Sequence, residues 1–370
     1  MTGPPSTLPS VLVVGGGYGG LNVAKALDEF ADVMLLDPKE AFVHNVAAWR
    51  ALVEPEWLDR IFLPYSHLLA NGRFLRDRAV AVNDRRVTLG SGEVLEPDYL
   101  VLATGSSYPF PAKTQEADIA SARARLRAAH DSLLAAGRVL IVGAGPAGLE
   151  LSGEIKAFFA DKKVTIVEAS EDILSGPYDQ ELRDELRRQL AEMDIELRLG
   201  TALSELPNAD PATLAPIAVA TEDGGKLIAD IWFRTFGVRP QTQYLEGGSL
   251  ADRRDDRGYL RVDERLRVIG EDRIFAFGDL ADADRDMAGI ATRQAEVVAT
   301  NVRALIEGSD ELMSWAPFPP LIAVPLGPEG GAGYVGDGLA DSATIAEVKG
   351  KHMLLDTYAA LFDAVPVPVA

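Results

Sequence analysis

Apolar residues in this chain fall into two patterns. Short unbroken runs recur at 11–14, 33–36, 99–102, 139–142, 164–167, 231–233 and 274–277. Runs of this length without alternation suit strands buried on both faces, as in a parallel sheet. Between them, helical spacing predicts helices over 20–30, over 120–136 with Gly137 as terminator, over 180–193 and over 288–306. Residues 39–50 read as a loop entering a helix. Alternation at 80–82 and 87–89, with a turn at Gly90 to Gly92, predicts a hairpin. Further strands are expected over 195–199, 217–220 and 226–229. After the Pro-rich stretch 317–320, strands over 321–324 and 343–348 are expected to flank a Gly-rich turn. An apolar helical piece follows over 353–362, and 365–370 are expected to fray.

What separates the runs carries the chemistry. The first run enters Gly15-Gly16-Gly17-Tyr18-Gly19-Gly20, and the fourth enters Gly143-Ala144-Gly145-Pro146-Ala147-Gly148. Both fit G-x-G-x-x-G between a strand and a helix. The first glycine makes the tight turn, the second lets backbone approach a pyrophosphate, and the third lets helix and strand pack closely. About twenty residues later, Asp37 closes the run 33–36 and Glu168 closes 164–167, where a carboxylate can hold a ribose diol. One such turn could be a phosphate turn for any mononucleotide; four elements recurring in order indicate two dinucleotide units. The repeat extends to apolar strands ending at Gly105 and Gly237.

The second unit lies between the strand ending Thr104-Gly105 and the strand ending Gly278-Asp279. The first fold leaves off, hosts the second and resumes, with the Pro-rich stretch 108–111 as a hinge. The expected division is 1–111 for the first unit, 112–237 for the inserted unit, 238–316 for the return, and 317–370 for a small α+β tail. Two units imply two dinucleotides, or one dinucleotide and a second function.

Composition narrows the class. The 370 residues suffice for two or three domains. Lys and Arg number 36 against 56 Asp and Glu, a net charge of −20. That argues against nucleic acid and disfavours acidic protein partners or anionic lipid. The chain has no cysteine, which excludes disulfides, Cys-ligated zinc, iron–sulfur clusters and thiol catalysis. Its four scattered histidines suggest no metal site. No apolar run reaches the roughly 18 residues of a membrane span. Residues 1–10 lack the basic and apolar regions of a signal peptide. A cytoplasmic protein is expected, with peripheral membrane contact left open and the oligomeric state undefined.

The segment Phe42-Val43-His44-Asn45-Val46-Ala47-Ala48-Trp49-Arg50-Ala51 is similar to one found in the ferroptosis suppressor protein family, also called apoptosis-inducing-factor-like mitochondrion-associated 2. Leu102-Ala103-Thr104-Gly105-Ser106, Gly153-Glu154-Ile155-Lys156, and Phe277-Gly278-Asp279 with Met287-Ala288 match as well. The resemblance covers about residues 10 to 330 and thins in the tail. It places the chain among the two-dinucleotide-binding flavoproteins, with glutathione reductase-like enzymes and type II NADH dehydrogenases. The implied fold is α/β, with two Rossmann-like domains, the NAD domain inserted in the FAD domain.

The resemblance implies FAD on the first unit and NAD(P)H on the second. Gly15, Gly17, Tyr18 and Gly20 would line the FAD pyrophosphate, with Asp37 on its ribose and Val80 at the adenine. Arg50 would approach the FAD, unless it makes a surface salt bridge. Thr104 and Gly105 would pack beside the flavin, and Asp279 would accept a ribitol hydroxyl, or else cap a helix. The amides of Met287 and Ala288 would face the flavin pyrimidine from a helix start. Gly143, Gly145, Pro146, Gly148 and Glu168 would hold the nicotinamide dinucleotide, and Gly237 matches the superfamily's domain-closing segment. No Arg follows Glu168 to pair a 2′-phosphate, so NADH is expected over NADPH.

Glu150 and Glu154 share one face of the second helix. By resemblance to type II NADH dehydrogenases, Glu150 would position nicotinamide or handle a proton, with Glu154 a weaker candidate; both could instead be helix-start acids. His44 reads as a structural histidine bonding local backbone. Lys349 and Lys351 align loosely with a basic tail segment or are solvated. The stripe Met353, Leu354, Leu355, Tyr358, Leu361 and Phe362 could be core, line a quinone tunnel or touch a membrane. Without a Cys pair, electrons must leave the flavin directly, and the resemblance favours a quinone. A ferredoxin-type reductase and a slow redox-sensing flavoprotein are the alternatives.

Overall fold

The computed structural model describes residues 8–362 apart from 318, 320 and 337. The expected fraying of 365–370 and the Pro-rich start at 1–7 lie outside the described residues. Strand β1 (Ser10–Val14) leads to helix α1 (Tyr18–Leu27), strand β2 (Asp32–Leu36), helix α2 (Ala48–Val53), and strands β3 (Arg73–Leu75) and β4 (Tyr99–Leu102). The inserted unit supplies α3 (Ile119–Ala135), β5 (Arg138–Val142), α4 (Pro146–Phe158), β6 (Lys163–Val167), α5 (Gln180–Glu192), β7 (Ile195–Arg198) and β8 (Ile231–Arg234). The chain returns as β9 (Ile274–Ala276) and α6 (Ala288–Ile306), and the tail adds β10 (Ile322–Leu326) and β11 (Gly330–Tyr334).

The strands form two parallel sheets, ordered β9-β4-β1-β2-β3 and β7-β6-β5-β8. In each, the strand before a glycine turn sits between the strand that ends in the acid and the strand that runs to a glycine. The registers repeat, with Val11 beside Val33 and Tyr99, and Val139 beside Val164 and Ile231. Strands flanked on both sides and covered on both faces need the unbroken apolar runs seen in the sequence. The two connections between units meet as a short antiparallel pair, Ser106–Ser107 with Arg239–Pro240.

Local chemistry sets the helix limits. The first helix starts at Tyr18 and stops at Leu27, short of the expected Phe30. At its end, Asp28 keeps helical backbone angles while its buried carboxylate accepts the amides of Ala70, Asn71 and Gly72. Helix α3 is N-capped by Asp118, which accepts from Ser121 N–H at 2.8 Å. Gly137 does not terminate it by a left-handed turn; its N–H donates instead to Asp230 Oδ2 at 3.1 Å. In the hairpin region, Ala79–Asn83 pairs with Arg86–Leu89 across Asp84, and Gly90 to Gly92 turns that strand onto Val94–Leu95.

The tail departs most from expectation. Residues 343–348 are not a strand but a short helix, Ser342–Ile345, continued by one π-helical turn, Ala346–Gly350. Asp341 accepts from Thr344 N–H at 2.9 Å and starts that helix, while Ile345 and Ala346 are buried. The Gly-rich stretch supplies the expected turn at 327–329, with Gly327 at φ 75°, and then continues as strand β11. A Cβ on Gly331 would lie 2.3 Å from Val324 O, so only glycine permits the pairing with β10. Residues 353–362 form the helix Leu355–Ala359 and the 3-10 turn Ala360–Phe362.

The tail buries Ile322, Val324, Leu326 and Ala332 in the core of the second sheet. It also places Tyr358 and Phe362 in the core of the first. The apolar stripe is therefore largely core: Met353, Leu355, Tyr358 and Phe362 are buried. Among the described residues, no helix is long and apolar enough to cross a membrane.

Candidate functional site

The two glycine turns are built alike, atom for atom. Gly15 and Gly143 adopt φ of 103° and 113°, a region that L side chains avoid. A Cβ on Gly20 would sit 1.8 Å from Gly15 O, and one on Gly148 would sit 2.0 Å from Gly143 O. Each acid uses one oxygen on its turn: Asp37 Oδ2 accepts from Gly16 N–H at 2.8 Å, and Glu168 Oε2 from Ala144 N–H at 2.8 Å. The other oxygen fixes the acid's own loop, Asp37 Oδ1 from Lys39 N–H and Glu168 Oε1 from Ser170 N–H. Burial pushes the Asp37 carboxyl up, against the pull of these two amides.

A cavity of about 1240 Å³ opens over the first turn. It is lined by Gly15, Gly17, Tyr18, Asp37, Val80, Thr104, Gly105, Asp279, Met287 and Ala288 from the first unit, and by Pro146 and Glu150 from the second. The tail adds Ile322, Ala323, Lys349 and Leu354. Gly20, Gly143, Gly145, Gly148, Glu168 and Gly237 lie outside the lining. Gly20 and Gly148 serve helix–strand approach, and the other four lie around the second turn.

The lining suits a long dinucleotide with a polar middle. Gly17 is the N-cap of helix α1 and Met287 that of helix α6, and neither provides a side-chain cap. Amides at such starts are donors in search of anionic or carbonyl oxygens. Asn45 Oδ1 and Thr114 Oγ1 are buried at the cavity with no hydrogen-bond partner among the described residues. Uncapped helix starts and orphaned polar atoms around one cavity fit FAD.

Four charged groups meet where the second unit and the tail close this cavity. Lys349 Nζ donates to Glu150 Oε1 at 2.7 Å. Burial pushes the Glu150 carboxyl up, and the Lys349 ammonium opposes this. One helical turn on, Glu154 does not reach the cavity. Its carboxylate takes Arg50 Nε at 2.6 Å and Arg50 Nη2 at 2.8 Å, with side-chain exposures of 1% and 3%. Arg50 is not among the residues that line the cavity, and its expected surface salt bridge is replaced by this buried pair, with the one-third-exposed Glu54 carboxylate 3.7 Å from Nε. Lys349 is not solvated, whereas Lys351 pairs with Glu347 and Glu329 nearer the surface.

Among the groups around Thr104 and Asp279, Lys113, Tyr65 and Asp286 carried no signal in the sequence. Lys113 Nζ donates to Ser106 O at 2.9 Å and lies 3.3 Å from Asp279 Oδ2, which also accepts from Ser106 Oγ at 2.6 Å. Thr104 Oγ1 donates to Gln241 O at 2.7 Å, tying the outgoing connection to the return. Tyr65 donates to Gly16 O at 2.8 Å and braces the turn. Asp286 faces the cavity with its carboxyl pushed up to about 6 by burial and by Asp279.

His44 is fully buried and is structural, but its partner is not local: Nε2 lies 2.7 Å from Met353 O. A carbonyl only accepts, so Nε2 carries the hydrogen and the neutral ring leaves Nδ1 as acceptor for Tyr18 OH at 3.3 Å. Tyr18 in turn accepts from Val46 N–H at 2.9 Å. Helix α1, the matched loop and the tail are thus joined at the cavity wall.

A model of the family described as pyridine nucleotide-disulphide oxidoreductase matches residues 9–302. Ferroptosis suppressor protein 1 of Homo sapiens is 31% identical over 302 residues, 79% of each chain. Apoptosis-inducing factor homolog B of Dictyostelium discoideum is 28% identical over 370 residues, 94% of this chain and 95% of that one. Among solved structures, the sulfide:quinone oxidoreductase of the hyperthermophilic bacterium Aquifex aeolicus superposes with TM-score 0.75 at 15% identity, over 97% of this chain and 93% of that one. NDH2 of Plasmodium falciparum, solved in complex with NADH, gives 0.73 at 14% identity, over 96% and 97%. At these identities the two structures show the fold.

Proposed function

The chain belongs to the pyridine nucleotide-disulphide oxidoreductase family, whose members are FAD- and NAD(H)-binding oxidoreductases, and from that premise we propose that it is an NADH:quinone oxidoreductase. The balanced reaction is NADH, a proton and a quinone giving NAD⁺ and a quinol. When bound, FAD supplies the site that accepts a hydride and gives up two electrons. The observation that carries the reading is the Lys349–Glu150 pair, a proton-holding group at the wall of the cavity that fits FAD. The absence of cysteine supports direct exit of electrons to a small acceptor, since no Cys pair can relay them. The names of the ferroptosis suppressor and sulfide:quinone oxidoreductase likenesses agree with the reading.

In this reading, amides of Gly17 and Tyr18 hold the FAD pyrophosphate, with Gly15 and Gly20 permitting the approach, Asp37 on the ribose and Val80 at the adenine. Thr104 and Gly105 pack beside the ring system and Asp279 accepts a ribitol hydroxyl. The start of α6, at Met287 and Ala288, directs its positive end at the pyrimidine edge. Gly143, Gly145, Pro146, Gly148 and Glu168 hold NADH, with Gly237 closing the second unit, inserted over 112–237. Lys349 Nζ holds a proton for the acceptor oxygen, and Glu150 Oε1 keeps that ammonium in place. Glu154, which lies outside the cavity, has no direct part.

The test is anaerobic. The FAD-loaded protein is reduced with one equivalent of NADH and mixed with a short-chain quinone while flavin absorbance is followed. Reoxidation within a second is expected, and Glu150→Gln should slow it; a reduced flavin that persists would sink the quinone reading. Glu168 repels a 2′-phosphate, so kcat/KM should favour NADH over NADPH by at least about tenfold, or 1.4 kcal/mol. Equal values would reject that role.

A further inference from the structure

Arg50 lies behind the cavity wall, yet it is bonded to both pieces that make the wall. Its Nε and Nη2 bind Glu154 at 2.6 Å and 2.8 Å, and Nη2 also donates to Gly350 O at 2.9 Å. Glu154 stands one turn after Glu150 on α4, and Gly350 directly follows Lys349 in the π-helical turn. Two ties thus run between the same helix and the same turn. One, Lys349 to Glu150, faces the cavity; the other, through Arg50, lies behind it.

The guanidinium is also held in place. Its carbon lies 5.5 Å from the Trp57 ring and 5.3 Å from the Phe158 ring. Such contacts suit a planar delocalised cation better than a compact, strongly hydrated ammonium. The turn it grips has little freedom, since a Cβ on Gly350 would sit 2.7 Å from Pro328 O. Because Arg50 belongs to α2 of the first unit, it joins three separate parts of the chain at one carbonyl.

We propose that Arg50 is a positioning residue for the Lys349–Glu150 pair: it fixes the tail turn against α4 and so sets where the Lys349 ammonium stands. The inference rests on the role given above to that pair. A second effect follows from charge. Glu150 and Glu154 lie on one helix face, and Arg50 neutralises the hidden Glu154, while the partly exposed Glu54, 3.7 Å from Arg50 Nε, adds a third carboxylate to the same cluster. Without it, Glu154 is left competing for Lys349.

The test uses the full-length, FAD-loaded protein and two variants. Arg50→Met with Glu154→Met removes the pair without leaving a buried unpaired charge. Arg50→Lys keeps the charge but cannot reach Glu154 and Gly350 together, and it serves if the double variant fails to fold. FAD content is expected to stay near that of the parent. Amide exchange at residues 346–350 is expected to quicken by about tenfold or more as the turn loosens. Reoxidation by quinone is expected to slow by up to about a hundredfold, with its pH profile displaced. Unchanged exchange overturns the proposal, as does quicker exchange with an undisturbed pH profile, which would leave Arg50 a purely structural residue. Glu150→Gln separates the two levels: if it is silent, the reading of the pair fails, whereas if it acts and the Arg50 variants do not, only the present inference fails.

Discussion

At the scale of the residue, burial decides most of the chemistry. His44 is neutral because its pKa is driven down from 6.5 to about 4 by desolvation, the bond to Met353 pulling the other way. The unfolded chain binds a proton there near pH 6.5 and the folded chain only near 4. His44 therefore contributes stability that is complete above pH 6.5 and lost as pH falls through that window. The shift is worth roughly 3 kcal/mol. Urea unfolding at pH 7 and pH 4.5 should show this loss in the parent and a shallower one in His44→Gln; equal slopes would remove His44 from the account. Arg50→Met alone should cost about 3–5 kcal/mol, because Glu154 is left buried without a partner. The Arg50→Met, Glu154→Met pair should recover most of that loss in the same measurement. None of these partnerships is visible in a linear sequence. Arg50 and Glu154 are 104 positions apart and Glu150 and Lys349 are 199 apart, and no periodicity links them. Asp37 and Glu168 could be read because each answers to a turn in its own unit.

At the scale of the element, the helices and strands with an unbroken apolar pattern were legible, and those with mixed signals were not. Helix α6 spans the expected 288–306, since its buried face repeats from Ile290 to Val302. Residues 343–348 alternate like a strand, but the Asp341 cap and the packing of Ile345 onto β11 favour a helix. Glycine serves two ends in the same region, reversing the chain at Gly327 and allowing close contact between strands at Gly331. Gly153 makes the same point within α4: a Cβ there would lie 2.4 Å from Leu326 Cα. Gly153→Ala gains about 1 kcal/mol in helix propensity. Pushing β10 off α4 costs about 1–3 kcal/mol, so the variant should be the less stable. A raised Tm would contradict this packing.

At the scale of the whole molecule, the cavity draws its wall from both sheets and the tail, so FAD should stabilise all three together. At free FAD about 100 times its Kd, the gain is about 2.7 kcal/mol. Calorimetry of the stripped and reloaded protein should show a single transition moving upward; an upward move of one of two transitions would mean that the units melt separately. The parallel sheets were legible from their apolar runs, whereas the closure of the site by the tail was not, because it depends on which faces the two cores leave open.

That closure also has a history within each molecule. The glycine turn at Gly15–Gly20 leaves the ribosome early, but Lys349 and Leu354, which wall the same cavity, are made more than three hundred residues later. At about 5–20 residues per second, the turn waits on the order of tens of seconds for its wall. The nascent chain therefore presents an open nucleotide cradle until its tail is made, and firm cofactor capture waits for that tail.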